Sequence, residues 1–100
     1  MLNPTPSHLM VDAQNRPYFL WDCDIDLDRF RKLLVDEDPG VSAYFLGKLM
    51  RQAKPDDVFL FATVATLRES WPRLERYLGE KRDFWRWLLD KWKEPGITVG

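Results

Sequence analysis

The chain has one cysteine, Cys23, and one histidine, His8, in 100 residues. A single thiol cannot close an internal disulfide, and a zinc site built on cysteines lacks its ligands. That usage suits a reducing cytoplasm, which is the expected location. His8 has no serine or cysteine motif beside it, so a nucleophile paired with a base is not expected. No apolar run approaches the roughly 20 residues of a membrane span. No basic block followed by an apolar one marks a signal peptide. Glycine-rich phosphate or dinucleotide loops, GxSxG and HExxH are all missing. The expectation is a non-enzyme with no cofactor and no metal. The formal net charge of −1 gives no global field that would favour nucleic acid or acidic membrane.

Aromatic residues, in contrast, are abundant at 14%, with five Trp. One hundred residues make one domain with one core. The stretch over residues 80–93, EKRDFWRWLLDKWK, is the strongest pattern. At about 100° per residue, Phe84, Trp85, Leu88, Leu89 and Trp92 share a helix face, with Trp87 on its edge. Arg82, Arg86, Asp90 and Lys93 take the other side. Each aromatic can bury about 150–250 Å², so this helix is expected to be the keel that the other segments cover. Trp87, Trp92 and Tyr77 are candidates for exposed anchors, the competing reading being that they fill the core.

The rest divides by pattern. Residues 1–17 read as an irregular arm punctuated by Pro4, Pro6 and Pro17, with a short ordered contact near Leu9 and Val11. From Trp21 on, apolar and acidic residues alternate: Trp21, Cys23, Ile25 and Leu27 against Asp22, Asp24, Asp26 and Asp28. Period two predicts an extended, half-buried acidic strap. Asp26 is the expected N-cap of a helix over residues 27–35, and residues 36–40 carry turn chemistry. A second helix is expected over 42–53, with Phe45, Leu46, Leu49, Met50 and Ala53 inward and Lys48, Arg51 and Lys54 on a basic outer side. Gly47 inside it implies that another element approaches closely. Residues 58–62, VFLFA, read as a short buried helix after Pro55. Thr63 caps a helix over 64–71. Leu67, Trp71, Leu74 and Leu78 hold register across Pro72, so either one helix kinks there or two share a face. Gly79 is a C-cap candidate. The fold class is all-α: about five short helices over residues 18–94, with the strap laid across them and a tail over 95–100.

Charge is uneven. Residues 1–40 hold four Lys/Arg and eight Asp/Glu, a net −4, and the remainder is net +3. The carboxylate ladder suggests Mg²⁺ or Ca²⁺ ligation through oxygen. A calcium loop starting at Asp22 fails, because its sixth position is Leu27 rather than Gly and its twelfth is Leu33 rather than Glu. A solvated or cation-paired acidic face is the simpler reading. On the basic side, Arg68, Arg73, Arg76, Lys81 and Arg82 form a candidate nucleic-acid contact, interleaved with Glu69 and Glu75. A helix-turn-helix reader is not expected, since VFLFATVA after residue 53 offers no base-reading groups.

The segment Tyr18-Phe19-Leu20-Trp21-Asp22-Cys23-Asp24 resembles a bacterial family of small helical proteins of unknown function. Its members carry an aromatic-Trp-Asp-x-Asp motif and end in a Phe-Trp helix, here Phe84-Trp85-Arg86-Trp87. Tyr44-Phe45-Leu46-Gly47, Trp71-Pro72 and Leu78-Gly79 are similar in spacing. Such proteins are often encoded beside nucleotidyltransferase-like toxins of the abortive-infection class. The resemblance therefore implies an antitoxin or accessory partner of such a toxin. The expected partner-binding residues are Trp21, Asp22, Asp24, Asp28 and Trp87, with the carboxylates meeting a basic cleft. Replacing Asp22 and Asp24 by Asn is expected to weaken that contact without moving the thermal melt. The alternative is a DNA-binding helical protein using the basic set above.

Overall fold

In the computed structural model, which describes residues 4–91, one helix touches nearly every other element. It is α3, Pro39–Gln52, and it packs against α2 (Leu27–Leu34), α4 (Pro55–Val58), α5 (Val64–Leu74) and the 3₁₀ turns at Tyr18–Leu20, Glu75–Tyr77 and Gly79–Lys81. A short α1, Ser7–Met10, and the C-terminal α6, Arg82–Lys91, complete the order. The fold is all-α, and among the described residues the only β pairing is an isolated bridge between Val11 and Pro17.

The hub of the molecule is therefore α3 and not the aromatic helix. Leu46, Leu49 and Met50 are all but fully buried on it. Each such side chain contributes about 1.5–3 kcal/mol of burial. Gly47 explains how α3 can be approached so closely. A Cβ there would stand 2.8 Å from Tyr77 Cβ and 3.3 Å from the Leu74 carbonyl oxygen. The expected close approach is thus present, and it comes from the end of α5 and the turn after it.

Local chemistry sets the helix ends. Asp26 accepts the Arg29 N–H at 2.8 Å, and Thr63 accepts the Thr66 N–H at 3.1 Å, as N-caps do. Helix α3 starts three residues before the expected position. Asp38 accepts the Gly40 N–H at 2.8 Å and Pro39 occupies the first turn, where its missing donor costs nothing. Pro72 does not end α5. The helix runs to Leu74 and then tightens into the 3₁₀ turn, keeping Leu67, Leu74 and Leu78 fully buried. Gly79 takes a left-handed φ of 55°, the conformation expected of a glycine at a helix end.

Helix α6 docks through a narrower stripe than the sequence suggests. Trp85 is fully buried, Leu89 nearly so, and Leu88 half-buried, but Phe84 is 40% and Trp87 56% exposed. The Trp85 indole N–H donates to the Met50 carbonyl at 2.8 Å, tying α6 to the hub. Trp92, Lys93 and the tail lie outside the described residues. The second aromatic centre is N-terminal. Phe19, Phe30 and Phe61 meet edge to face with centroids 5.3–5.7 Å apart. The 3₁₀ turn after the arm is consequently a core element rather than a strap resting on one.

Candidate partner-binding surface

The motif Tyr18-Phe19-Leu20-Trp21-Asp22 folds as a tight turn whose members have separate tasks. Phe19 and Leu20 point into the core. The Phe19 carbonyl accepts from Gln52 Nε2 at 2.5 Å. The Tyr18 hydroxyl donates to Asp57 and accepts the Lys54 N–H at 2.9 Å. Asp22 Oδ2 receives Lys48 Nζ at 2.6 Å, while Gln52 Nε2 donates to Oδ1 at 3.2 Å. Trp21, held between these anchored neighbours, is 76% exposed. A large indole left in water between bonded neighbours is the kind of side chain that can anchor an interface.

Period two had placed Trp21 inward. The alternation does hold from Cys23 onward, where Cys23, Ile25 and Leu27 are half-buried and Asp24, Asp26 and Asp28 exposed. It breaks at residues 18–22 because that segment is a 3₁₀ turn and bend, not extended backbone.

Lys48 corrects a second expectation. It is 98% buried rather than on a basic outer side, its ammonium lying 5.8 Å from the Tyr44 ring centroid and bonded to Asp22 and Gln52. Burial alone would lower its pKa, but the Asp22 bond and nearby charge outweigh that and raise it. The same bond, opposed by burial, holds Asp22 down at about 2. Asp22 is thus committed to an ion pair with the buried Lys48, although a third of its own side chain stays in solvent. An Asn there strands a buried cation, so the melt is expected to move after all.

The other acids differ from it. Asp24 is fully in solvent, with Arg16 at 3.4 Å and bridged through it to Asp12. Asp26 caps α2, and Asp28 is exposed in its first turn. No trio of metal-ligating side chains gathers among the described residues. Leu9, Val11, Arg16, Leu20 and Cys23 help line a groove of about 390 Å³ beside Trp21.

Trp87 sits on α6, away from this turn in the chain, 6.3 Å from the Phe84 ring and 5.9 Å from Lys91 Nζ. The members of the proposed basic set have different surroundings. Arg68 donates to the Leu89 carbonyl at 2.9 Å and has a buried Nε without a partner. Arg82 grips Glu75 at 2.7 Å. Arg76 lies over Tyr77, and Arg73, Arg76 and Lys81 are exposed.

Sequence reasoning missed Lys48, Gln52 and Asp57. For Lys48 a signal existed, since Leu46, Gly47, Leu49 and Met50 surround it and leave little solvent face. Asp57 had none beyond its place after Pro55, yet it is fully buried. No helix is long and apolar enough to cross a membrane among the described residues. No protein-family model matches the chain, and neither a curated protein nor a solved structure matches it.

Proposed function

We propose that this chain is a non-enzymatic protein-binding module, acting in the cytoplasm as the antitoxin or accessory partner of a nucleotidyltransferase-like toxin. The observation that carries the binding reading is Trp21: an indole 76% exposed on a turn whose neighbours are all bonded down. Pre-organised aromatic anchors bind at low entropic cost. Asp24 and Asp28 supply exposed negative charge near it, suited to a basic cleft. The toxin as partner rests on the resemblance of the motif around Trp21. DNA binding is less favoured, because Arg68 and Arg82 already have partners inside the chain.

The test is affinity capture from the native host with the wild-type chain and with Trp21→Ala. Truncating an anchor of this kind costs about 2–4 kcal/mol of binding. The reading requires that a nucleotidyltransferase-like protein is captured by wild type and lost with the variant. Capture that ignores Trp21, or a partner of another class, overturns it.

A further inference from the structure

Asp57 is fully buried, yet it is a carboxylate. Both oxygens are occupied. Oδ1 accepts the Thr5 backbone N–H at 2.6 Å, and Oδ2 accepts the Thr5 hydroxyl at 2.6 Å and the Tyr18 hydroxyl at 2.5 Å. Burial would raise its pKa, but these donors outweigh that and lower it. A buried carboxylate is costly to desolvate, and an apolar residue of similar volume would fill the space without that cost. What the carboxylate does, and an apolar residue would not, is collect three donors, two from Thr5 in the N-terminal arm and one from Tyr18 at the start of the turn after it.

Those two places bracket, along the chain, the segment that lines the groove. Thr5 and Tyr18 are the ends of the segment that carries Leu9, Val11 and Arg16, which line one side of it. Leu20 and Trp21 line the groove from the turn that follows Tyr18. Met10 anchors the middle of the arm in the core and Arg16 reaches Asp24 at 3.4 Å, whereas the Val11–Pro17 bridge and the other Asp12 bonds are internal to it. Leu27 N–H donates to the Asn15 carbonyl at 2.8 Å and is its link to α2.

We propose that Asp57 is the positioning residue of the Trp21 surface: it fixes both ends of residues 5–18 and so holds the groove beside Trp21 in its partner-binding shape. This inference rests on the reading of Trp21 as the anchor. Asp57 itself, being buried, touches no partner.

The experiment uses the full chain with Asp57→Asn, which keeps the side-chain shape and replaces one acceptor oxygen by a donor. Amide exchange at Thr5, Asn15 and Leu27 is expected to accelerate about tenfold or more, with Ala53 unchanged. The indole resonance of Trp21 should shift while that of Trp85, bonded to Met50, stays. Capture of the partner should weaken about tenfold. Tyr18→Phe removes one donor, keeps the ring, and should give the same pattern at smaller amplitude.

An unmoved Trp21 indole with unchanged exchange at Thr5 and Leu27 overturns the proposal. So does a change spread evenly over Trp85 and α3, or failure of both variants to fold, since Asp57 would then serve the core alone. The exchange and indole readouts need no partner. If the arm loosens while Trp21→Ala still captures, the binding reading falls and the latch stands. If Trp21→Ala abolishes capture and Asp57→Asn changes nothing, only the latch falls.

Discussion

Trp21 and Trp85 are the same residue put to opposite uses. Trp85 is fully buried with its indole N–H on the Met50 carbonyl, and Trp21 is 76% exposed. Each sits in an aromatic-rich stretch, so composition does not separate them. Their neighbours do. Trp85 has Leu89 one helical turn on, and both fall on the stripe that faces the hub. Trp21 follows two core residues, Phe19 and Leu20, in a turn too tight to bury a third. The comparison teaches that aromatic content near α6 is structural at one position and displayed at the next, Trp87. In the N-terminal turn the bonded framework leaves a single ring, Trp21, exposed.

The largest break in that comparison is Trp85→Ala. It opens a cavity and strands the Met50 carbonyl, and should cost about 3–5 kcal/mol of stability. Urea unfolding measures it. Asp22→Asn attacks the other side. It leaves a 98% buried ammonium with Gln52 and the Tyr44 face, and should cost about 1–3 kcal/mol. Gly47→Ala drives a methyl into Tyr77 and the Leu74 carbonyl and should cost a similar 1–3 kcal/mol. An unchanged melt for Gly47→Ala would contradict α3 as the closely packed hub.

Acid sharpens the contrast further. The folded pKa of Asp22 is about 2, below its ordinary 3.8. A depressed carboxylate contributes stability above its unfolded pKa and loses it as pH falls through the folded one. Melts should therefore be flat above about pH 4 with respect to Asp22 and decline from there toward about 2. Asp57, also depressed, adds to the same limb. Lys48 and Tyr18 are raised, so their contribution is present below 10.5 and 10.0 respectively and is lost as pH climbs beyond. In Lys48→Met the Asp22 share of the acid decline should shrink, with the Gln52 bond keeping part of it.

Much of the fold was legible because it is local. Asp26 and Thr63 announce helix starts by donor chemistry within three residues. Gly47 announces a close neighbour by what it lacks, though not which neighbour. The all-α class follows from such signals. What was illegible depends on distance along the chain. Lys48 is buried because Asp22, 26 positions earlier, meets it, and Asp57 because Thr5 and Tyr18 do. Pattern at the level of seven or eight residues carries no trace of those meetings. The same limit hid the hub: the α6 stripe is the stronger pattern, but α3 is central because six segments converge on it. Of the candidate site, the acidic ladder was visible as a row. The cap at Asp26 was legible in it; the pairing of Asp22 with the buried Lys48 required the turn at residues 18–22.

The most direct measurement pairs a thermal melt of Trp21→Ala with its capture of the wild-type chain's partner. The account predicts a stability change within about 0.5 kcal/mol, as for an ordinary surface site, together with loss of capture. A melt lowered by several degrees, or a partner held as tightly as before, would contradict it.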